Sequence, residues 1–198
     1  MQIKNATRKG YGLPENTEDY LRLPLRQYAP ESIIAEVLLR PACVAGIAEW
    51  AERSLETSDG RVSEVGGFVL GRYEEDTPGE YRISFEHFCP ASEVEHQSAV
   101  SLVLGSGAGR QLADAMDEYP EYALIGWFHT HPGHTPYLSK TDLDCTHELF
   151  YRKPYQVAVV LDPLTPEFDT GIFARNPDGK VINKEGYLQW ISWKKLNA

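Results

Sequence analysis

The chain has 198 residues, of which 42% are hydrophobic and 24% charged, a composition typical of an ordinary soluble globular protein. Its formal net charge of −10 argues against a nucleic-acid-binding protein, since such proteins usually carry a basic excess. No apolar run approaches the roughly 20 residues of a membrane-spanning helix, and the polar N-terminus lacks the apolar stretch of a signal peptide. We therefore expect a cytoplasmic protein that binds neither nucleic acid nor membrane.

Residues 1–30 are predicted to form an N-terminal extension, and residues 31–198 a single domain. Glycines and prolines punctuate the first segment, and its apolar periodicity is poor. This segment carries five basic and three acidic residues, a net charge of +2, whereas the remainder carries 14 basic and 26 acidic residues, a net charge of −12. An acidic body favours a basic partner, but only by electrostatic steering.

From residue 31 onward, strand and helix patterns alternate irregularly. Pro41 suits the first turn of a helix, and apolar residues at helical spacing follow it. Helices are predicted over residues 41–55, 110–119 and 140–150. Strands are predicted over residues 33–39, 62–73, 81–88, 123–131, 155–161, 168–175 and 181–187. This order predicts an α/β or α+β layered fold with a mixed sheet.

Two histidines mark the end of the strand predicted over residues 123–131. Strand residues two apart point to the same face, so His129 and His131 project together, and Pro132 ends the strand. Two imidazoles on one rigid edge can share a metal ion, and Asp142 supplies a third ligand if the loop 133–138 folds back. Three protein ligands leave a fourth position for water, which is typical of a catalytic zinc site.

Each part of this pattern has a simpler explanation. A His-x-His pair alone is common, and Ser139 and Asp142 have the spacing of a capping box for the helix that follows. The cap and the metal site are compatible, because a helix start can present both side chains to a metal while capping itself. Glu64 is a candidate base for the water, but from the residues alone a solvated loop carboxylate is the better interpretation.

Together these residues resemble the JAMM (JAB/MPN-type) zinc metalloprotease family. The family pattern is a strand-borne Glu, then His-[Ser/Thr]-His-Pro, six residues, Ser, two residues and Asp. Glu64, the run 129–132, Ser139 and Asp142 fill every position, with Thr130 where serine is commoner. A weaker resemblance extends over about residues 33–175. It implies a single domain with a mixed β-sheet flanked by helices, layered as in cytidine deaminases.

The resemblance also implies a role for each residue. His129, His131 and Asp142 would bind one zinc ion per chain, with water as the fourth ligand. Glu64 would be the general base and then the general acid, and Ser139 would hydrogen-bond the oxyanion. The implied reaction is hydrolysis of an isopeptide or peptide bond after the C-terminal glycine of ubiquitin or a ubiquitin-like protein.

The compact chain is similar to prokaryotic members, which act on ubiquitin-like modifiers or sulfur carriers, or serve in phage-defence conjugation systems. We therefore expect a ubiquitin-like protein or its conjugates as the partner, with a tail that adds as a strand beside a sheet edge. Glycines ending that tail would fit a narrow channel. Tyr137, Leu138, Trp127 and Phe128 are candidates for its lining. Trp127 is preferred over Phe128 because it shares the histidine face, and packing in the core is an equal alternative for both.

Two other functions fit the same residues. A non-catalytic module would keep the fold and bind a ubiquitin-like partner, although inactive relatives typically lose motif ligands and this chain loses none. A hydrolase of a sulfur-carrier adduct or a small amide would keep the site and change the substrate. Near the motif, His134, Cys145 and His147 are expected as packing or polar residues rather than as ligands of a second zinc ion.

Overall fold

The computed structural model describes residues 11–55, 62–98, 101–183 and 191–192. The strands of this part of the chain are β1 (Leu21–Leu23), β2 (Ile34–Leu39), β3 (Gly66–Thr77), β4 (Glu80–Ala91), β5 (His96–Ser98), β6 (Ser101–Val103), β7 (Ala123–Thr130), β8 (Val157–Leu161), β9 (Asp169–Phe173) and β10 (Ile191–Ser192). Eight of them form one sheet in the spatial order β1-β2-β4-β3-β7-β8-β9-β10, and β5 pairs with β6 in a second sheet.

The large sheet is mixed. The pairs β2–β4 and β7–β8 are parallel, and the other neighbouring pairs are antiparallel. Every residue of β8 is buried, as its continuous apolar run predicts. The predicted layered fold with a mixed sheet and flanking helices is therefore confirmed.

The helices are α1 (Leu25–Tyr28), α2 (Pro41–Glu52), α3 (Gly105–Glu118) and α4 (Glu148–Phe150), with a 3₁₀ turn at Arg53–Leu55 and a π-helix at Asp142–His147. Pro41 opens α2 as predicted. Helix α3 begins at Gly105 rather than at the predicted residue 110. The prediction began too late because the glycine-rich first turns of α3 show no apolar periodicity. The predicted helix over 140–150 is helical, but its central turn follows the wider π pattern. None of the described helices is long and apolar enough to cross a membrane.

Part of the predicted N-terminal extension packs on the sheet. Strand β1 pairs antiparallel with β2, and Leu23, Leu25 and Ala29 are buried in the core. Directly before β1, the Tyr20 hydroxyl donates to the buried carboxylate of Glu86 over 2.7 Å. A three-residue strand is too short for apolar periodicity to show, and residues 1–10 lie outside the described part of the chain.

Two of the predicted strands, over residues 62–73 and 181–187, differ from the structure. Strand β3 begins at Gly66 rather than at residue 62, so Glu64 lies in the irregular segment before it. Of the strand predicted over 181–187, Val181 forms an isolated bridge with Arg175, and residues 184–190 lie outside the described residues.

Candidate metal centre

Three potential ligand atoms converge between the end of β7 and the start of the π-helix. Nε2 of His129 and Nε2 of His131 lie 3.0 Å apart. Oδ2 of Asp142 lies 3.5 Å from each of them. In a tetrahedral zinc site with bonds of about 2.0–2.1 Å, neighbouring ligand atoms lie about 3.3 Å apart. The donor set and its separations therefore fit a zinc ion, and this group could hold a metal.

The sheet fixes the two histidines from both sides. His129 pairs with Gly66 on β3 and with Val160 on β8. The backbone N–H of His131 donates to the carbonyl of Leu161 over 2.8 Å, which extends the β8 pairing past the end of β7. The imidazoles therefore lie on the buried central strand β7 and directly after its end, with exposed fractions of 1% for His129 and 4% for His131.

Asp142 reaches the histidines from a capped helix start. The N–H of Ser139 donates to Oδ2 of Asp142 over 2.8 Å, and the N–H of Asp142 donates to Oγ of Ser139 over 3.1 Å. This reciprocal pair is a capping box. The cap and the ligand interpretations hold together, because the same carboxylate caps the helix and faces both imidazoles.

The protonation states of this group suit a metal. Burial raises the pKa of Asp142, but its hydrogen bonds with His129 and His131 outweigh that effect and hold the pKa well below its usual range. Burial lowers the pKa of His129. The site therefore presents a carboxylate and a neutral imidazole, which are the forms of these side chains that bind zinc.

Glu64 lies inside the site rather than in solvent. It is only 4% exposed, and its Oε1 lies 3.9 Å from Nε2 of His131. Burial raises the pKa of Glu64 to about 7, with a smaller raising effect of Asp142 and an opposing effect of His131. The interpretation of Glu64 as a solvated loop carboxylate is therefore wrong.

Thr130 holds the segment that carries Glu64, a role that sequence reasoning missed. The N–H of Val65 donates to Oγ1 of Thr130 over 3.0 Å, and the N–H of Thr130 donates to the carbonyl of Val65 over 2.9 Å. The motif places a hydroxyl between the two histidines, so the side chain points to the opposite face of β7. Alternation along β7 predicts this direction from the sequence, and a short hydroxyl on that face can reach backbone beside β7, here the segment before β3.

A small pocket of about 110 Å³ opens beside His131 and Asp142. Of the four candidate channel residues, Tyr137 lines it, and its ring lies 4.9 Å from that of His131. Phe128 and Leu138 are buried in the core instead. Leu102, on β6, lines the pocket and was not predicted. The complete lining is Glu64, Leu102, His131, His134, Tyr137, Ser139, Thr141 and Asp142.

Trp127 neighbours the site without lining the pocket. Its ring stacks on that of His129, with centroids 4.5 Å apart and planes 4° from parallel. Its Nε1–H donates to Nδ1 of the buried His147 over 3.2 Å. His147 therefore packs behind the site, Cys145 is exposed, and His134 lines the pocket. Among the residues that the structure describes, His129, His131 and Asp142 are the one group of His, Cys, Asp or Glu side chains whose ligand atoms lie close enough together to hold a metal ion.

A family model supports what the geometry indicates. The model described as JAB1/Mov34/MPN/PAD-1 ubiquitin protease matches residues 32–153. The chain belongs to the JAB/MPN family. The predicted family is therefore confirmed, and membership of the JAB/MPN family supports a peptidase or ubiquitin-related function in general.

Solved structures resemble this JAB/MPN chain at low sequence identity. A protein from Desulfitobacterium hafniense, known from its solution structure, is 19% identical with a TM-score of 0.50, over 77% of this chain and 90% of its own. A protein from Salinibacter ruber is 21% identical with a TM-score of 0.41, over 74% of this chain and 88% of its own. The first likeness bears on the fold alone. No curated protein sequence matches the JAB/MPN chain.

Proposed function

We propose that this protein is a zinc-dependent peptidase or isopeptidase that cleaves after the C-terminal glycine of a ubiquitin-like protein. One observation carries the proposal: two members of the converging ligand group, His131 and Asp142, line the same pocket as the buried carboxylate of Glu64. A structural zinc site needs neither an open pocket nor a buried carboxylate beside its ligands, whereas a hydrolytic site needs both.

In the proposed hydrolysis, three side chains would bind the metal and Glu64 would transfer the proton. Zinc bound by His129, His131 and Asp142 would lower the pKa of a water from 15.7 to about 7 and polarise the scissile carbonyl. Glu64 would take a proton from the attacking water and deliver it to the leaving amine. Its pKa, raised to about 7 by burial, suits a group that must both accept and release a proton near neutral pH.

Ser139 would stabilise the oxyanion. Its Oγ accepts the N–H of Asp142, so its own hydrogen can point into the pocket that it lines. Because such donors act on charge that develops in the transition state, they lower the barrier rather than strengthen substrate binding.

Ser139→Ala is expected to lower kcat by about 100- to 1,000-fold with little change in KM, because the oxyanion loses a donor. Loss of the cap is expected to cost about 1 kcal/mol of stability. Steady-state kinetics and thermal unfolding measure the two effects. Ser92→Ala, which removes an exposed hydroxyl that accepts from Gln111, is the control. An unchanged kcat in Ser139→Ala would exclude the oxyanion role.

The function itself is tested with fusions of ubiquitin-like proteins and sulfur carriers whose Gly-Gly tail precedes a reporter peptide, with and without zinc. We expect mass spectrometry to find a new C-terminus at the terminal glycine, and slower cleavage when that glycine is alanine, since the pocket is small. Binding of the zinc-loaded protein without cleavage would support a non-catalytic module. Cleavage of a small amide or a sulfur-carrier adduct alone would support the third function.

The proposal extends to the pathway. The compact chain suits a prokaryotic system that conjugates a ubiquitin-like modifier in the cytoplasm, such as a phage-defence system. Genes for activating and conjugating enzymes beside a ubiquitin-like gene, next to the gene of this chain, would support this assignment. Neighbouring genes without such enzymes would contradict it.

A further inference from the structure

We propose that Asn183 is a positioning residue that sets where Ser139 and Asp142 stand relative to the two histidines. Asn183 lies beyond the region that the family model matches, which ends at residue 153. The inference rests on the proposed function for its catalytic meaning.

Asn183 binds both polar backbone atoms of Leu138. The N–H of Leu138 donates to Oδ1 of Asn183 over 2.9 Å, and Nδ2 of Asn183 donates to the carbonyl of Leu138 over 2.7 Å. One carboxamide thereby supplies the donor and the acceptor that a paired strand would supply. Because Leu138 directly precedes Ser139, this clamp fixes the chain at the point where the helix cap begins.

The other end of the same loop is also held by a side chain. Oδ1 of the buried Asp162 accepts the N–H of Gly133 over 2.9 Å and the N–H of Leu164 over 3.0 Å. Gly133 has a φ of +76°, a conformation that favours glycine. The loop 133–138 is therefore anchored at its start to the end of β8 and at its end to Asn183.

The clamp acts on a segment whose residues are hydrogen-bonded to one another. Besides the reciprocal cap between Ser139 and Asp142, the N–H of Leu143 donates to the carbonyl of Ser139 over 3.0 Å. A shift at Leu138 therefore displaces the oxyanion donor and a metal ligand together. A misplacement of about 1 Å is enough to cost about 100-fold in rate, so this placement matters for the chemistry.

Asn183 is itself held in place. It follows a turn in which Arg175 and Val181 form a β-bridge. The buried guanidinium of Arg175 donates to the carboxylate of Glu148 over 3.0 Å and to the carbonyl of Tyr151 over 2.9 Å. These hydrogen bonds connect the turn before Asn183 to the end of the helical segment that carries Asp142. Asn183 and the metal ligand Asp142 are therefore held by connected parts of the chain.

The rival explanation is that burial of the Leu138 side chain, which is 2% exposed, holds the loop without help. Hydrogen exchange of the metal-free protein separates the two. In Asn183→Ala we expect the amides of Ser139, Asp142 and Leu143 to exchange about tenfold faster or more, because the cap opens locally. Acceleration at the amide of Leu138 alone, with these three unchanged, would overturn the proposal.

The control is Asn16→Ala. Asn16 also accepts a backbone N–H, that of Glu18 over 2.9 Å, but it lies in the N-terminal segment. We expect this variant to exchange like the wild type at Ser139, Asp142 and Leu143. Equal acceleration of those amides in both variants would show a general loss of stability and would overturn the specific role of Asn183.

Asn183→Asp keeps the size and the acceptor but places an oxygen, instead of Nδ2, against the carbonyl of Leu138. It is suited to test the clamp if Asn183→Ala does not fold. We expect zinc to bind it about 10- to 100-fold more weakly, with a changed cobalt(II) d–d spectrum. A zinc Kd and a spectrum equal to those of the wild type would refute the proposal. If the wild type binds no zinc, the proposed function fails, and hydrogen exchange still decides the role of Asn183.

Discussion

Glu64→Gln is expected to lower kcat/KM by about 100- to 10,000-fold while the protein retains one zinc ion per chain. The amide has the size of the carboxylate but cannot accept the proton of the attacking water. Glu64 lies 3.9 Å from Nε2 of His131 and outside the group of three ligands, so its loss should spare the metal. Cleavage of a Gly-Gly fusion and elemental analysis of the purified variant measure the two quantities.

The pH profile gives this prediction a second readout. Burial raises the pKa of Glu64 to about 7. The population of the active carboxylate form therefore increases as the pH rises through that value and decreases as the pH falls. A bound cation lowers this midpoint, because it favours the charged form. We expect wild-type kcat/KM to fall on the acidic side, and the residual activity of Glu64→Gln to lack that fall.

Glu49→Gln is the matched control, because Glu49 is exposed on α2. It should cleave like the wild type. If Glu64→Gln also cleaved at the wild-type rate, another group would supply the base, and the mechanism proposed for this pocket would be wrong.

Local spacing was sufficient for the residues that come from one short stretch. The alternation of side chains along β7 brings His129 and His131 to one face, and the capping-box spacing brings Ser139 and Asp142 to one helix start. These rules are local, so the sequence displays them directly. The place of Glu64 follows instead from the register between β3 and β7, which pairs Gly66 with His129. No spacing rule predicts the pairing of residues as far apart in sequence as Gly66 and His129, and the resemblance alone selected Glu64.

The contacts that the sequence did not reveal join distant parts of the chain. Asn183 reaches Leu138 across 45 positions, and the three residues of β1 become a strand only because the edge of β2 accepts them. Leu102 reaches the site through the β5–β6 pair, where it lies against Gly66. A Cβ on Gly66 would stand 2.7 Å from the carbonyl oxygen of Phe128, so glycine is needed at this approach. Composition and periodicity describe single elements, and these contacts join separate ones.

Asp142→Asn is expected to lower zinc affinity by more than the roughly 10- to 100-fold typical of residues that only support a ligand. The amide keeps an oxygen for the cap to Ser139 but removes the charge that faces His129 and His131. Zinc binds the folded site and stabilises it by about 2.7 kcal/mol when present at 100 times its Kd. The wild type should therefore unfold at a higher temperature with zinc and a lower one with chelator, and Asp142→Asn should respond little to either.

Asp144→Asn is the control for Asp142→Asn, because it removes a nearby negative charge that is not a metal ligand. Asp144 lies in the same π-helix, two residues further on, and pairs with the exposed Lys140 over 2.9 Å. Its loss should leave zinc affinity unchanged, because a surface ion pair contributes at most about 1 kcal/mol and faces solvent. Equal loss of affinity in both variants would mean that general acidity, rather than the convergence of three ligand atoms, attracts the metal. If the wild type is purified without chelator and still contains no stoichiometric zinc, the result would instead favour the non-catalytic binding module. The pocket would then lack the ion on which hydrolysis depends.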